Sequence, residues 1–70
     1  MNGPELAKVV LIRALKERAE NEEMLADAAY VEMRDAGSGP KAQRASAQMG
    51  KHRYAATQFR AMAKDMEETL

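Results

Sequence analysis

The chain has 70 residues, a formal charge of zero, no cysteine and a single histidine. A domain this short seldom holds together on one core and leans on disulfides, a metal or association. The absence of cysteine excludes disulfides and zinc–thiolate centres, and one histidine excludes a His-rich metal site within a subunit, so association is what remains.

Asn2-Gly3-Pro4-Glu5 reads as a helix start: Asn2 as cap, Pro4 in the first turn, and Glu5 three residues after the Asn as in a capping box. The helical pattern then runs from about residue 4 to residue 36. Leu6, Val10, Leu11, Ala14, Leu15, Leu25, Ala28, Ala29, Val31 and Met33 make its apolar face, which is wide enough to touch more than one neighbour. Residues 16–23 look polar all round. They are read as continuous helix with Arg18 and Glu22 paired at i, i+4; a break capped by Asn21 is the alternative.

Gly37-Ser38-Gly39-Pro40 is the one clear breaker. Gly37 suits the left-handed residue that follows a helix, and Pro40 suits the first position of the next. So short a connection places two long helices antiparallel, with arms on the order of 45 Å.

From residue 40 to about 69, Ala42, Ala45, Met49, His52, Ala56, Phe59, Ala63, Met66 and Leu70 repeat at spacings of three and four. That is a heptad seam, mostly alanine, on one long helix. Gly50 weakens it by about 0.8–1 kcal/mol relative to Ala but does not shift the phase. It reads as a tolerated weak point, with close approach of another backbone as the alternative. Ala55 and Met62 widen the stripe to one side and suggest a third or fourth helix there. The fold class is therefore all-α: an antiparallel two-helix hairpin, one domain over residues 1–70, dimerising into a four-helix bundle. The candidate helix–helix and oligomer contacts are Leu11, Leu15, Leu25, Ala29, Ala45, Met49, His52, Ala56, Phe59, Met62, Ala63 and Met66.

Charge is unevenly placed. Residues 1–35 carry five basic and eight acidic side chains, residues 36–64 six basic and no acidic ones, and residues 65–70 three acids. Folding the chain at Ser38 sets Glu32 level with Arg44, Glu23 with Arg53, Glu17 with Arg60, Lys8 with Glu68 and Asp27 near Lys51. Exposed pairs of this kind set register more than stability. Lys41, Arg44, Lys51 and Tyr54 are left on a side away from the seam. There they form either a solvated face or a strip that binds phosphates and stacks a base.

No catalytic constellation is present. His52 lies on the seam without a nucleophile beside it and is expected to hydrogen-bond Glu22 or Asn21. Glu20, Glu22 and Glu23 read as a solvated acidic face rather than a cation site. The glycines of the turn lack the Lys-Ser/Thr of a phosphate loop. Met24, Met33, Met49, Met62 and Met66 follow helical spacing, as core filler or as an adaptable binding surface. The expectation is a non-enzymatic regulatory or adaptor protein, of inhibitor or assembly-factor type, that binds itself and another protein through helix surfaces. It needs no cofactor, metal, membrane or small-molecule substrate. A nucleic-acid-binding dimer and a structural coiled-coil piece of a larger particle are the alternatives. No secretory signal is visible, and the longest aliphatic run, Val9 to Ile12, falls far short of the ~18 residues of a membrane span. A cytoplasmic setting is the default expectation.

Overall fold

The computed structural model describes residues 2–70 and holds two α-helices packed against each other, α1 (Gly3–Ala36) and α2 (Pro40–Glu68). α1 begins where its cap chemistry lies. Asn2 is extended, and its Oδ1 accepts the Glu5 N–H at 3.0 Å, satisfying one of the donors that a helix start leaves open. The helix runs unbroken through Asn21, because no Gly or Pro there offers the backbone a better conformation. α2 is likewise unbroken at Gly50.

The turn uses its two glycines for different geometries. The Gly37 N–H still donates to Met33 O, at 3.1 Å, and the Ser38 N–H then folds back onto Ala36 O at 2.8 Å. With φ 75° and ψ −62°, Gly37 sits at the centre of a γ-turn. The left-handed helical conformation expected from the sequence has the same sign of φ but the opposite sign of ψ. A three-residue connection reverses the chain more sharply than a left-handed cap does. Gly39 has φ 88° and ψ −172°, a region essentially confined to glycine, and Pro40 opens α2 directly after it.

The two arms form a rod of 54 × 14 × 11 Å. Its radius of gyration is 16.0 Å, against about 11 Å for a compact chain of this length. Three cross-helix contacts set the register. The Lys8 ammonium donates to Thr69 O and Oγ1 at 3.4 Å, the Arg18 guanidinium lies 4.9 Å from the Phe59 ring centroid, and Glu22 meets His52. This register sets Leu15 level with Ala63, Ala19 with Phe59, Ala26 with His52, Ala29 with Met49 and Met33 with Ala45. Each of these five layers puts a larger side chain opposite an alanine, which lets the helices approach closely.

The buried side chains are Ile12, Ala19, Ala26 and Ala29 on α1 and Ala42, Ala45, Ala56 and Ala63 on α2. On α2, Met49, His52, Phe59 and Met66 complete the seam as part-buried residues, whereas Leu70 lies exposed beyond the helix end. On α1 the row facing α2 is Ile12, Leu15, Ala19, Glu22, Ala26, Ala29, Met33 and Ala36. This corrects the face read from the sequence. Leu6, Val10, Leu11, Leu25, Ala28 and Val31 do not face α2 but lie exposed on another side of α1. Residues 16–23 are not polar all round either, since Ala19 is fully buried and Glu22 points into the seam.

Two stability predictions follow from the backbone. A Cβ on Gly50 would meet nothing within 4 Å, so the close-approach alternative has no support within the hairpin. Gly50→Ala is expected to stabilise the fold by about 0.8–1 kcal/mol through helix propensity alone, raising the melting midpoint. Gly37→Ala is expected to lower it, at a cost of about 1–3 kcal/mol, because alanine resists this φ although space is open. Thermal melts followed by circular dichroism check both.

Candidate interaction surface

The seam has two unlike edges. One is charged and closed: Lys16 Nζ lies 2.6 Å from Glu67 Oε1, and the Arg60 guanidinium grips Glu23 Oε1 at 2.5 and 2.6 Å. The other carries Leu11, Arg18 and Leu25 of α1 and Ala55 and Met62 of α2, with no ion pair among the described residues. Arg18 is held there by its stacking over Phe59.

The level-by-level pairing expected from the sequence is not observed. Among the described residues Glu32–Arg44, Glu17–Arg60, Asp27–Lys51, Glu23–Arg53 and Lys8–Glu68 make no salt bridge. Glu23 takes Arg60, one heptad beyond Arg53, and Lys8 turns to Thr69. Being level is insufficient: Glu17, Asp27, Arg44 and Lys51 project from the outer sides of their helices, out of reach across the seam. The i, i+4 pair of Arg18 and Glu22 is also absent, because both side chains find partners on α2 instead.

Around α1 from the edge without ion pairs runs a second, largely apolar stripe. Leu6, Val10, Leu11, Met24, Leu25 and Val31 are 42–68 % exposed there, with Ala7, Ala14 and Ala28 between them. Asn21, Met24, Leu25 and Ala28 line a shallow open depression in this stripe. Their spacing of i, i+3, i+4 and i+7 is that of a hole which accepts a knob from another helix. Contiguous exposed apolar surface of this kind is uncommon on monomeric chains. Of the contact residues read from the sequence, Ala29, Ala45, Ala56 and Ala63 are buried in the hairpin seam. Leu15, Met49, His52, Phe59 and Met66 are part-buried, while Leu11, Leu25 and Met62 stand exposed. Ile12, Ala19 and Ala26 were missed, although they share the three-four spacing that revealed the seam of α2.

Lys41, Arg44, Lys51 and Tyr54 are all exposed, Tyr54 at 68 %. None of the three cations makes a salt bridge among the described residues. His52 reaches Glu22 across the seam, Nδ1 to Oε2 at 2.5 Å, with both side chains 24 % exposed. The imidazole N–H donates to the carboxylate, and the pair bridges the neighbouring layers of Ala26 and Ala56. No group of three or more His, Asp or Glu among the described residues is placed to hold a metal ion. Among the described residues no helix is long and apolar enough to cross a membrane.

No protein-family model, curated protein or solved structure matches this chain.

The pair at Glu22 and His52 gives a prediction about the seam. His52→Ala leaves a part-buried carboxylate without its donor and is expected to cost about 1–3 kcal/mol. Replacing both with leucine is expected to raise stability above that of the parent chain, since apolar packing often exceeds a polar pair. Denaturant unfolding of the three proteins reads the order.

Proposed function

We propose that this chain is a small non-enzymatic regulatory or adaptor protein that works by helix-mediated binding to another protein, and that its hairpins associate into a four-helix bundle. The observation that carries this reading is the second apolar stripe of α1, left uncovered when the hairpin closes. The hairpin's own core is one isoleucine and seven alanines, which release little apolar surface from water. A partner helix laid on the stripe adds the missing burial. An inhibitor or assembly factor has no need of a reactive centre, and the seam histidine is occupied by Glu22.

A specific observation favours a second reading. Arg44 and Lys51 stand one heptad apart on an outer face of α2 with the exposed ring of Tyr54 beside them. Cations and an aromatic so placed suit a nucleic-acid backbone and an unstacked base. The zero net charge of the chain weighs against it, because long-range attraction to a polyanion is then weak.

Light scattering over a concentration series tests the first reading. The parent chain is expected at twice its monomer mass or above, and Leu11→Glu with Leu25→Glu at monomer mass with helix content kept. A parent chain that stays solitary and melts cooperatively at high dilution overturns it. Growth without limit beyond a dimer would instead mark a structural piece of a larger particle. For the second reading the measurement is retention of DNA or RNA at low salt. The protein-binding reading expects none. Salt-sensitive retention, lost on Arg44→Glu with Lys51→Glu, would put nucleic acid in its place.

A further inference from the structure

We propose that the occupant of the α1 stripe is a second copy of this chain, with the two α1 helices packed antiparallel about a two-fold axis between Arg18 and Asn21. The inference rests on the reading of the stripe as a protein-docking face and adds its partner and register. The area of the molecule supports it. Its accessible surface is 5200 Å², whereas a compact monomer of 7.8 kDa would expose about 4,400 Å². The excess, on the order of 800 Å², is what one subunit contributes to an interface of standard size.

The stripe is also self-complementary along its length. With Arg18 of one copy level with Asn21 of the other, Leu11 falls opposite Ala28 and Ala14 opposite Leu25, each pair occurring twice. Every leucine of the stripe's centre line thus meets an alanine, as the large side chains do inside the hairpin. Ala14 of the second copy comes level with the depression lined by Asn21, Met24, Leu25 and Ala28. Along one flank Val10 comes within two residues of the height of Val31. Sliding the copies by one heptad sets a leucine against Asn21 and loses the match.

Charge selects the direction. A parallel pair would set Arg18 against Arg18 in the middle of the contact and Glu32 against Glu32 near its end. The antiparallel pair levels Arg18 with Asn21 and brings it within one turn of Glu17 of the second copy. Glu32 falls opposite Ala7 at the rim. Antiparallel packing also opposes the helix dipoles. The outer face of α2 plays no part in this contact and is presented twice by the dimer.

The natural absence of cysteine gives a test without background. In a chain carrying Leu11→Cys and Ala28→Cys, the two thiols lie roughly 25 Å apart along one helix and cannot join within a chain. Mild oxidation is expected to convert this variant into a disulfide-linked dimer, and to leave each single-cysteine variant unlinked. Ala14→Cys with Leu25→Cys is expected to behave alike. All four positions are solvent-exposed in the hairpin, so folding is retained, and circular dichroism reads that. Linking of Leu11→Cys alone as fast as the double variant would show a parallel pair and overturn the proposal. So would a dimer by mass in which neither double variant links, although the docking face would then stand. A monomeric mass at every concentration overturns both.

Discussion

Alanine opposite a larger side chain, repeated layer after layer, is the contact on which this hairpin depends. Ala63 stands level with Leu15, Ala19 with Phe59, Ala29 with Met49 and Ala45 with Met33. The small partner in each layer lets the two backbones come close, and close approach excludes water from a seam with little bulk of its own. The same economy limits the result. Among the described residues no large side chain is fully buried, and a rod 54 Å long and 11–14 Å across keeps most of its surface in water. Thin cores of this kind leave a small margin between burial and the conformational entropy lost on folding.

That margin gives meaning to the difference between the two edges. Where Lys16, Glu67, Glu23 and Arg60 close the seam, charged groups meet at 2.5–2.6 Å, with Tyr30 half-exposed one heptad beyond Glu23. Exposed pairs add little stability, but they fix which side of each helix turns outward. On the opposite edge the Arg18 guanidinium lies over the Phe59 ring, and beyond it the surface of α1 is mostly leucine, valine, methionine and alanine, with Glu17 and Asn21 among them. The two edges differ accordingly: one is closed by ion pairs, and the other has the periodicity of a helix that lacks a neighbour. His52 and Glu22 sit at mid-length in an otherwise small-residue seam. A hydrogen-bonded pair there penalises slipped registers, which would leave one of them unpartnered.

Much of the fold was legible because its signals are local. Asn2 caps, Gly37 to Pro40 break, and Ala42 to Met66 repeat in heptads; none of these needs knowledge of the other helix. The hydrogen bond of His52 to Glu22 was anticipated from its seam position. What escaped was the seam of α1. Ile12, Ala19 and Ala26 keep the same spacing but are poorer in apolar bulk than the Leu and Val residues of the neighbouring stripe, so hydrophobicity pointed to the wrong face. The ion pairs failed for a related reason. Counting residues from the turn gives height along the rod, whereas a salt bridge also needs the two side chains to leave their helices on the same edge.

The amino-acid sequence by itself determined two long helices, the tight reversal between them, and the alanine-rich stripe of α2, because caps, glycines and heptad spacing act within a few residues. Only the tertiary structure decided which of the two stripes of α1 closes the hairpin. Both are apolar enough to be buried. The choice turns on fit: Leu15, Ala19, Ala29 and Met33 each meet α2 with a larger side chain against an alanine, and Glu22 is placed for His52. Leu11, Met24, Leu25 and Val31 are thereby turned to the outside, where another chain has room to lie.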